Sequence, residues 1–119
     1  MIQTCLSKYG NTRLTLDGIT FDSALEARRY SELVLLQRGR RISKLHCHVP
    51  FVLIPAFEKR GKKYRAINYV ADFVYCDNES GKTIVEDTKG YRTPEYKLKQ
   101  KLFEYVYPDL ELIEIKATR

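Results

Sequence analysis

Cysteine is scarce and unpaired in this chain. Cys5, Cys47 and Cys76 are three in number, lie far apart and form no Cys-X-X-Cys pair, which argues against both a disulfide framework and a zinc knuckle. A reducing cytoplasm is the expected compartment. Long apolar runs are missing too: none approaches the roughly 18 residues of a membrane helix, and the N-terminus has no basic-then-hydrophobic signal pattern. No membrane partner is expected. Internal repeats and low-complexity segments are absent, as are helix-turn-helix and zinc-finger patterns, so those devices for reading base order are excluded. Histidine occurs only as His46 and His48. They alternate on one strand face with no third ligand at useful spacing, and so read as strand-end surface residues rather than a zinc site.

What is present fits one domain. A chain of 119 residues with 44% hydrophobic composition predicts a single domain over 1–119 with one modest core. The 21 basic against 15 acidic residues leave a formal charge of +6, which favours an anionic partner, and nucleic acid is the commonest one for a small basic protein.

Punctuation residues divide the chain. Asp17-Gly18 marks a turn, and Phe21-Asp22-Ser23 leads into a helix over 24–38, with Leu25, Tyr30, Leu33, Val34 and Leu36 as its apolar positions and Gly39 as its stop. His48 to Ile54 reads as a strand, followed by Pro55 and a basic loop from Glu58 to Lys63. Tyr64 to Cys76 alternates, with Ile67, Tyr69, Ala71, Phe73 and Tyr75 on one face and Asn68, Val70, Asp72 and Val74 on the other. Turn formers from Asp77 to Gly81 reverse the chain into a strand over 82–89. Thr93-Pro94-Glu95 starts a second helix running to about Tyr107, with Leu98, Leu102, Tyr105 and Val106 facing the core. Leu110 to Lys116 alternates as a last strand, most simply paired parallel in the same sheet.

The chemistry concentrates on the hairpin of the two middle strands. Asp72 sits among Val70, Ala71, Phe73 and Val74, where a carboxylate without a partner would be costly. Alternation places Val85, Asp87 and Lys89 on one face and sends Ile84, Glu86 and Thr88 to the other. Asp72 then falls opposite a position near Asp87. Two acids and the main-chain carbonyl of Thr88 can form the protein shell of a hard divalent cation such as Mg2+. Water made more acidic by such an ion can attack phosphorus, and the Lys89 ammonium can stabilise the charge that builds on phosphate. On the first helix, Ser23-X-X-Glu26 fits a capping box, yet Glu26 also shares an inward side with Tyr30 and Leu33. Cap and metal site are both open for it.

The succession of helix, three strands, helix and strand, with its acids in the second and third strands, resembles the core of the PD-(D/E)XK nuclease superfamily from about Phe21 to Ile115. The runs Lys8-Tyr9-Gly10-Asn11, Asp17-Gly18-Ile19-Thr20-Phe21-Asp22-Ser23 and Glu26-Ala27-Arg28-Arg29-Tyr30 look like a phage-borne group of small Holliday-junction-resolvase-like endonucleases within it. The resemblance implies an α/β (α+β) restriction-endonuclease-like core in the order α-β-β-β-α-β, a mixed sheet flanked by helices. It implies Asp72 and Asp87 as metal-binding acids, Lys89 as catalytic lysine and Glu26 as an assisting acid on the first helix, with Mg2+ or Mn2+ as cofactor. Ala71 stands where the namesake proline would be. Branched DNA is the implied substrate, in phage recombination or replication inside the host cell. A homodimer follows if both strands of a junction are cut.

Basic residues surround the proposed centre. Lys89, Arg92, Lys97, Lys99 and Lys101 cluster near the start and exposed side of the second helix, where main-chain amides also favour phosphate. Arg28 and the Lys62-Lys63 loop add charge. Such contacts hold backbone rather than read bases, so DNA shape is the expected determinant. The alternative is a non-catalytic DNA-binding or assembly protein on the same fold.

Overall fold

The computed structural model describes residues 3–6, 12–88 and 93–116, of which 3–6 and 12 are described as backbone only. Lys89 and Arg92 lie outside the described residues. The chain runs β1 (Gln3–Leu6), β2 (Thr12–Leu16), β3 (Ile19–Phe21), α1 (Ala24–Arg38), β4 (Ile42–Ile54), β5 (Phe57–Lys59), β6 (Lys62–Tyr64), β7 (Ile67–Asp77), β8 (Thr83–Thr88), α2 (Pro94–Val106) and β9 (Glu111–Ile115). It is a mixed α+β fold. The main sheet has the order β4-β7-β8-β9, antiparallel except for the parallel β8–β9 pair. That parallel pairing across α2 is the expected crossover.

Local chemistry explains the boundaries. Ser23 Oγ accepts the Glu26 amide at 3.1 Å and starts α1, and Thr93 Oγ1 does the same for Tyr96 at 3.0 Å, with Pro94 opening α2. Each cap satisfies an amide that the helix leaves without a partner. Asp17 and Gly18, at φ 52° and 78°, form the tight turn between β2 and β3, where a left-handed pair matches the twist of the strands.

Four sequence expectations need correction. The start of the chain, to which the sequence assigned only the Asp17-Gly18 turn, carries β1, β2 and β3 as a three-stranded antiparallel sheet that sends Phe21 into the core. Their strands are too short for a clear alternating pattern. On α2 the buried side chains are Tyr96 and Phe103, and Leu102 packs against the same cluster as expected, while Val106 is exposed and Leu98 and Tyr105 are 58% and 85% exposed. The expected face was rotated toward the aliphatic residues, whereas the aromatic rings of Tyr69, Phe51 and Tyr107 draw Phe103 inward. The basic loop is itself a hairpin, β5–β6.

The fourth correction positions the site. The expected single row from Tyr69 to Tyr75 is split: Tyr69 and Ala71 pack with Val85, Tyr96 and Phe103, whereas Phe73 and Tyr75 pack with Phe21, Tyr30 and Leu33. Positions two apart in a regular strand share a face, so the faces exchange at Asp72. The partner strand does the same, for Cys47 packs with the first-helix cluster and Phe51 with the second-helix cluster. Cys47 pairs with Phe73 and Val49 with Ala71, which sets His48 across from Asp72. His48 has φ 55°, a left-handed conformation that is costly for a non-glycine residue. Ala71, Asp72 and Phe73 are consequently buried in succession.

Candidate metal centre

The exchange of faces turns Asp72 toward the first turn of α1. Glu26, His48 and Asp72 each offer a ligand atom there, all within 4.8 Å of one another. Both acids are buried, Glu26 at 4% and Asp72 at 9% exposure, while His48 Nε2 lies 2.7 Å from Glu26 Oε2. The Glu26 carboxylate therefore reaches across to β4. Its own amide is capped by Ser23, so the helix-start half of the capping box forms while the side chain is spent elsewhere.

Asp72 is held from the neighbouring strand. Its Oδ2 accepts the Thr88 amide at 2.7 Å and the Thr88 hydroxyl at 2.8 Å. The β7–β8 pairing ends at Phe73 with Glu86; beyond it, a carboxylate takes the Thr88 amide. Thr88 thus orients Asp72 through its amide and hydroxyl.

Charge is in surplus at this point. Burial, and after it the nearby Asp72 carboxylate, push the Glu26 carboxyl above its ordinary range, against a downward pull from His48. Burial with Glu26 and Asp72 also pushes the Cys47 thiol up to about 11. A cation between the acids would remove this cost, and two carboxylates suit a divalent ion. The sign for stability follows. An acid whose folded pKa is raised contributes stability at low pH, and that contribution is lost as pH rises from the unfolded value toward the folded one. Glu26→Gln is therefore expected to raise the melting temperature in chelator at pH 8, with the gain vanishing toward pH 4. Melting curves of both proteins across that range check this, and a lower melting temperature for the variant at pH 8 would contradict it.

Asp87 takes a different environment. It is fully buried and its Oδ2 accepts the Tyr69 hydroxyl, on the side of α2. Burial and then Asp87 raise the Tyr69 hydroxyl far above its ordinary range. Among the described residues, the 4.8 Å group comprises Glu26, His48 and Asp72. Asp87 stands outside it, one residue past the last paired position of the hairpin, Phe73 with Glu86. Glu86 faces the other way, bound by both Arg29 Nε at 2.8 Å and Nη2 at 2.7 Å and by the Tyr75 hydroxyl. It is committed to α1.

His48 was placed by sequence at a strand end on the surface. It is exposed, as expected, but lies inside the thirteen-residue β4 rather than at its end, 5.7 Å from the Phe21 ring, with its imidazole on Glu26. Its partners come from α1 and β7, and no spacing within one segment could have shown them. His46 is exposed, with Nδ1 at 2.9 Å from the Lys44 carbonyl. Of the expected phosphate contacts, Arg28, Lys62, Lys63, Lys97 and Lys101 are exposed. Lys99 Nζ lies 3.5 Å from Glu95.

A family model described as protein of unknown function (DUF1064) matches residues 6–119. The chain belongs to that family. No curated protein and no solved structure matches it. The DUF1064 match spans both helices and all four strands of the main sheet, so Glu26, His48, Asp72, Asp87 and Lys89 all fall within the shared domain.

Proposed function

We propose that this protein is a Mg2+- or Mn2+-dependent DNA endonuclease that hydrolyses phosphodiester bonds in branched DNA, in phage recombination or replication within the host cytoplasm. The observation that carries the reading is the convergence of two buried acids, Glu26 and Asp72, where both strands exchange faces. Buried like charges this close are costly, and a fold that keeps them has a use for them. Asp72 and Glu26 would hold the ion with the Thr88 carbonyl, and Asp87, the second metal acid expected from sequence, would join the shell by turning its carboxylate away from the Tyr69 hydroxyl. His48 is a positioning residue that fixes the Glu26 carboxylate. When bound, the ion would lower the pKa of water and polarise the phosphate. Lys89, one residue beyond the end of β8, would place its ammonium against charge developing on the phosphate oxygens. Lys97, Lys101, Arg28 and the residues near Arg92 would hold backbone on either side. Cutting both strands of a junction calls for two such centres, hence a homodimer.

The deciding assay offers a labelled four-way junction, a flap, linear duplex and single strand to the purified protein with Mg2+, Mn2+ or chelator. Cleavage of the junction with either ion, none in chelator, and a loss of roughly 10³-fold in Asp87→Ala is the expected pattern, the size of losing one preorganised electrostatic group. If no DNA is cut with either ion, the protein is a binding or assembly factor instead; if Asp87→Ala cuts as well as the parent, Asp87 does not hold the ion.

A further inference from the structure

The hairpin β5–β6 stands apart from both cores. Every residue from Pro55 to Asn68 is exposed, and the turn at Arg60 and Gly61, with φ 53° and 76°, is the tight left-handed kind that fixes a two-stranded ribbon. Its pairing sets Phe57 across from Tyr64, Glu58 from Lys63 and Lys59 from Lys62. Phe57, Lys59, Lys62 and Tyr64 therefore share one face. On that face the Phe57 and Tyr64 rings stack at 4.6 Å and 10°, and Lys62 Nζ lies 5.1 Å from the Tyr64 ring centre. The aromatic pair acts as a brace. Each ring buries little, with Phe57 and Tyr64 at 49% and 38% exposure, but together they keep a short ribbon in register where no core supports it.

Beyond the brace, the charges oppose folding. Lys59 and Lys62 are directly opposite on the same face, and like charges in that relation destabilise a strand pair. Arg60, Lys63 and Arg65 add three more positive groups, against Glu58 alone. A ribbon that stiffens its base and then concentrates repulsion at its tip is built to meet a polyanion. Reach also suits a duplex. From His48 to Lys59 is eleven residues, at most about 40 Å of extended chain, comparable with the roughly 34 Å of one duplex turn. A two-stranded ribbon is also of a size to enter the major groove.

We propose that β5–β6 is an arm that grips the phosphate backbone of duplex DNA up to one helical turn from the metal centre, with Lys59 and Lys62 as a paired phosphate clamp. The inference rests on the nuclease reading only for its choice of DNA as the polyanion. Stacked on each other, the two rings brace the ribbon rather than receive bases, so duplex is favoured over single strand.

The test is read by binding, in chelator, so that it does not depend on cleavage. A fluorescein-labelled 30-base-pair duplex and a single strand of equal length are titrated by anisotropy at several salt concentrations. In Lys59→Ala/Lys62→Ala, the salt slope for duplex is expected to fall by about two, since each lost phosphate contact removes roughly 0.9. Affinity at about 0.1 M salt should drop roughly tenfold or more. Lys59→Glu separates binding from folding: it replaces a like-charged pair by an opposite one, so the melting temperature should hold or rise while duplex binding weakens. Unchanged slope and affinity in both variants would overturn the arm. So would tighter binding of single strand that is lost in Phe57→Ala/Tyr64→Ala, because the rings would then be stacking on bases. If the duplex is held as expected but no metal supports cutting, the arm stands and the nuclease reading falls.

Discussion

On the proposed reading, Asp72→Asn is expected to abolish any stabilisation by Mg2+ or Mn2+ and to reduce DNA cleavage by about 10²–10³-fold, the scale of removing one central electrostatic contact. The change takes away one charge and almost nothing else. Asn keeps a side-chain oxygen that can accept the Thr88 amide and hydroxyl, which hold Asp72 Oδ2 at 2.7 and 2.8 Å, so the end of the β7–β8 hairpin keeps its closure. It also relieves the repulsion that, after burial, raises the Glu26 carboxyl. Without metal the variant should therefore be at least as stable as the parent. With ion at about a hundred times its dissociation constant, the parent gains roughly 2.7 kcal/mol, and the variant should gain almost none. Asp72→Ala provides the contrast, because it leaves the buried Thr88 amide without an acceptor, at a cost of about 1–3 kcal/mol. A metal-dependent shift in melting temperature that survives in Asp72→Asn would remove Asp72 from the centre.

The long elements were legible because local and tertiary signals agree in them. Helix α1 spans Ala24–Arg38 as its cap, composition and Gly39 indicate, and α2 begins at the Thr93 cap. The turn from Asn78 to Gly81 and the parallel β9 also follow from sequence. What was not legible depends on packing between distant segments. The buried face of α2 is chosen by rings on β4 and β7, and helical spacing alone leaves Leu98 and Tyr96 as rival anchors. Alternation along β7 holds on each side of Asp72 but not through it, because the partner strand is twisted over at His48. A left-handed histidine leaves no mark in the sequence; glycine or asparagine would have.

The same exchange limited the reading of the site. Asp72 could be singled out because an acid inside an apolar strand needs a partner. Glu26 was ambiguous since capping and inward placement use the same position, and the structure separates them by giving the cap to the amide and the carboxylate to His48. His48 was missed for the reason that exposed Asp72: a sequence shows a residue's neighbours along the chain, and this imidazole's partners lie on other elements. The division between Asp87 and Glu86 was legible, since strand alternation alone sends them to opposite faces.

That division sets up a second large effect, on stability and away from the candidate metal centre. Glu86 is 1% exposed and receives two parallel bonds from Arg29, whose side chain is 21% exposed and also meets Glu32 at 2.9 Å. The Arg29–Glu86 pair ties α1 to the centre of the sheet. Removing one member of such a pair strands the other charge, and the two ends are unequally able to recover. In Glu86→Ala, Arg29 keeps Glu32 and some access to water. In Arg29→Ala, Glu86 keeps only the Tyr75 hydroxyl among the partners described. Arg29→Ala is therefore expected to cost about 3–5 kcal/mol, the range for an uncompensated buried charge, and Glu86→Ala less. Replacing both by methionine should cost less than Arg29→Ala alone, because apolar groups of similar volume often substitute for a buried pair without loss. Urea unfolding of the three variants measures the order directly. Should Arg29→Ala unfold within about 1 kcal/mol of the parent, the pair behaves as a solvated surface bridge, and α1 is held to the sheet by Phe21, Tyr30 and Leu33 instead.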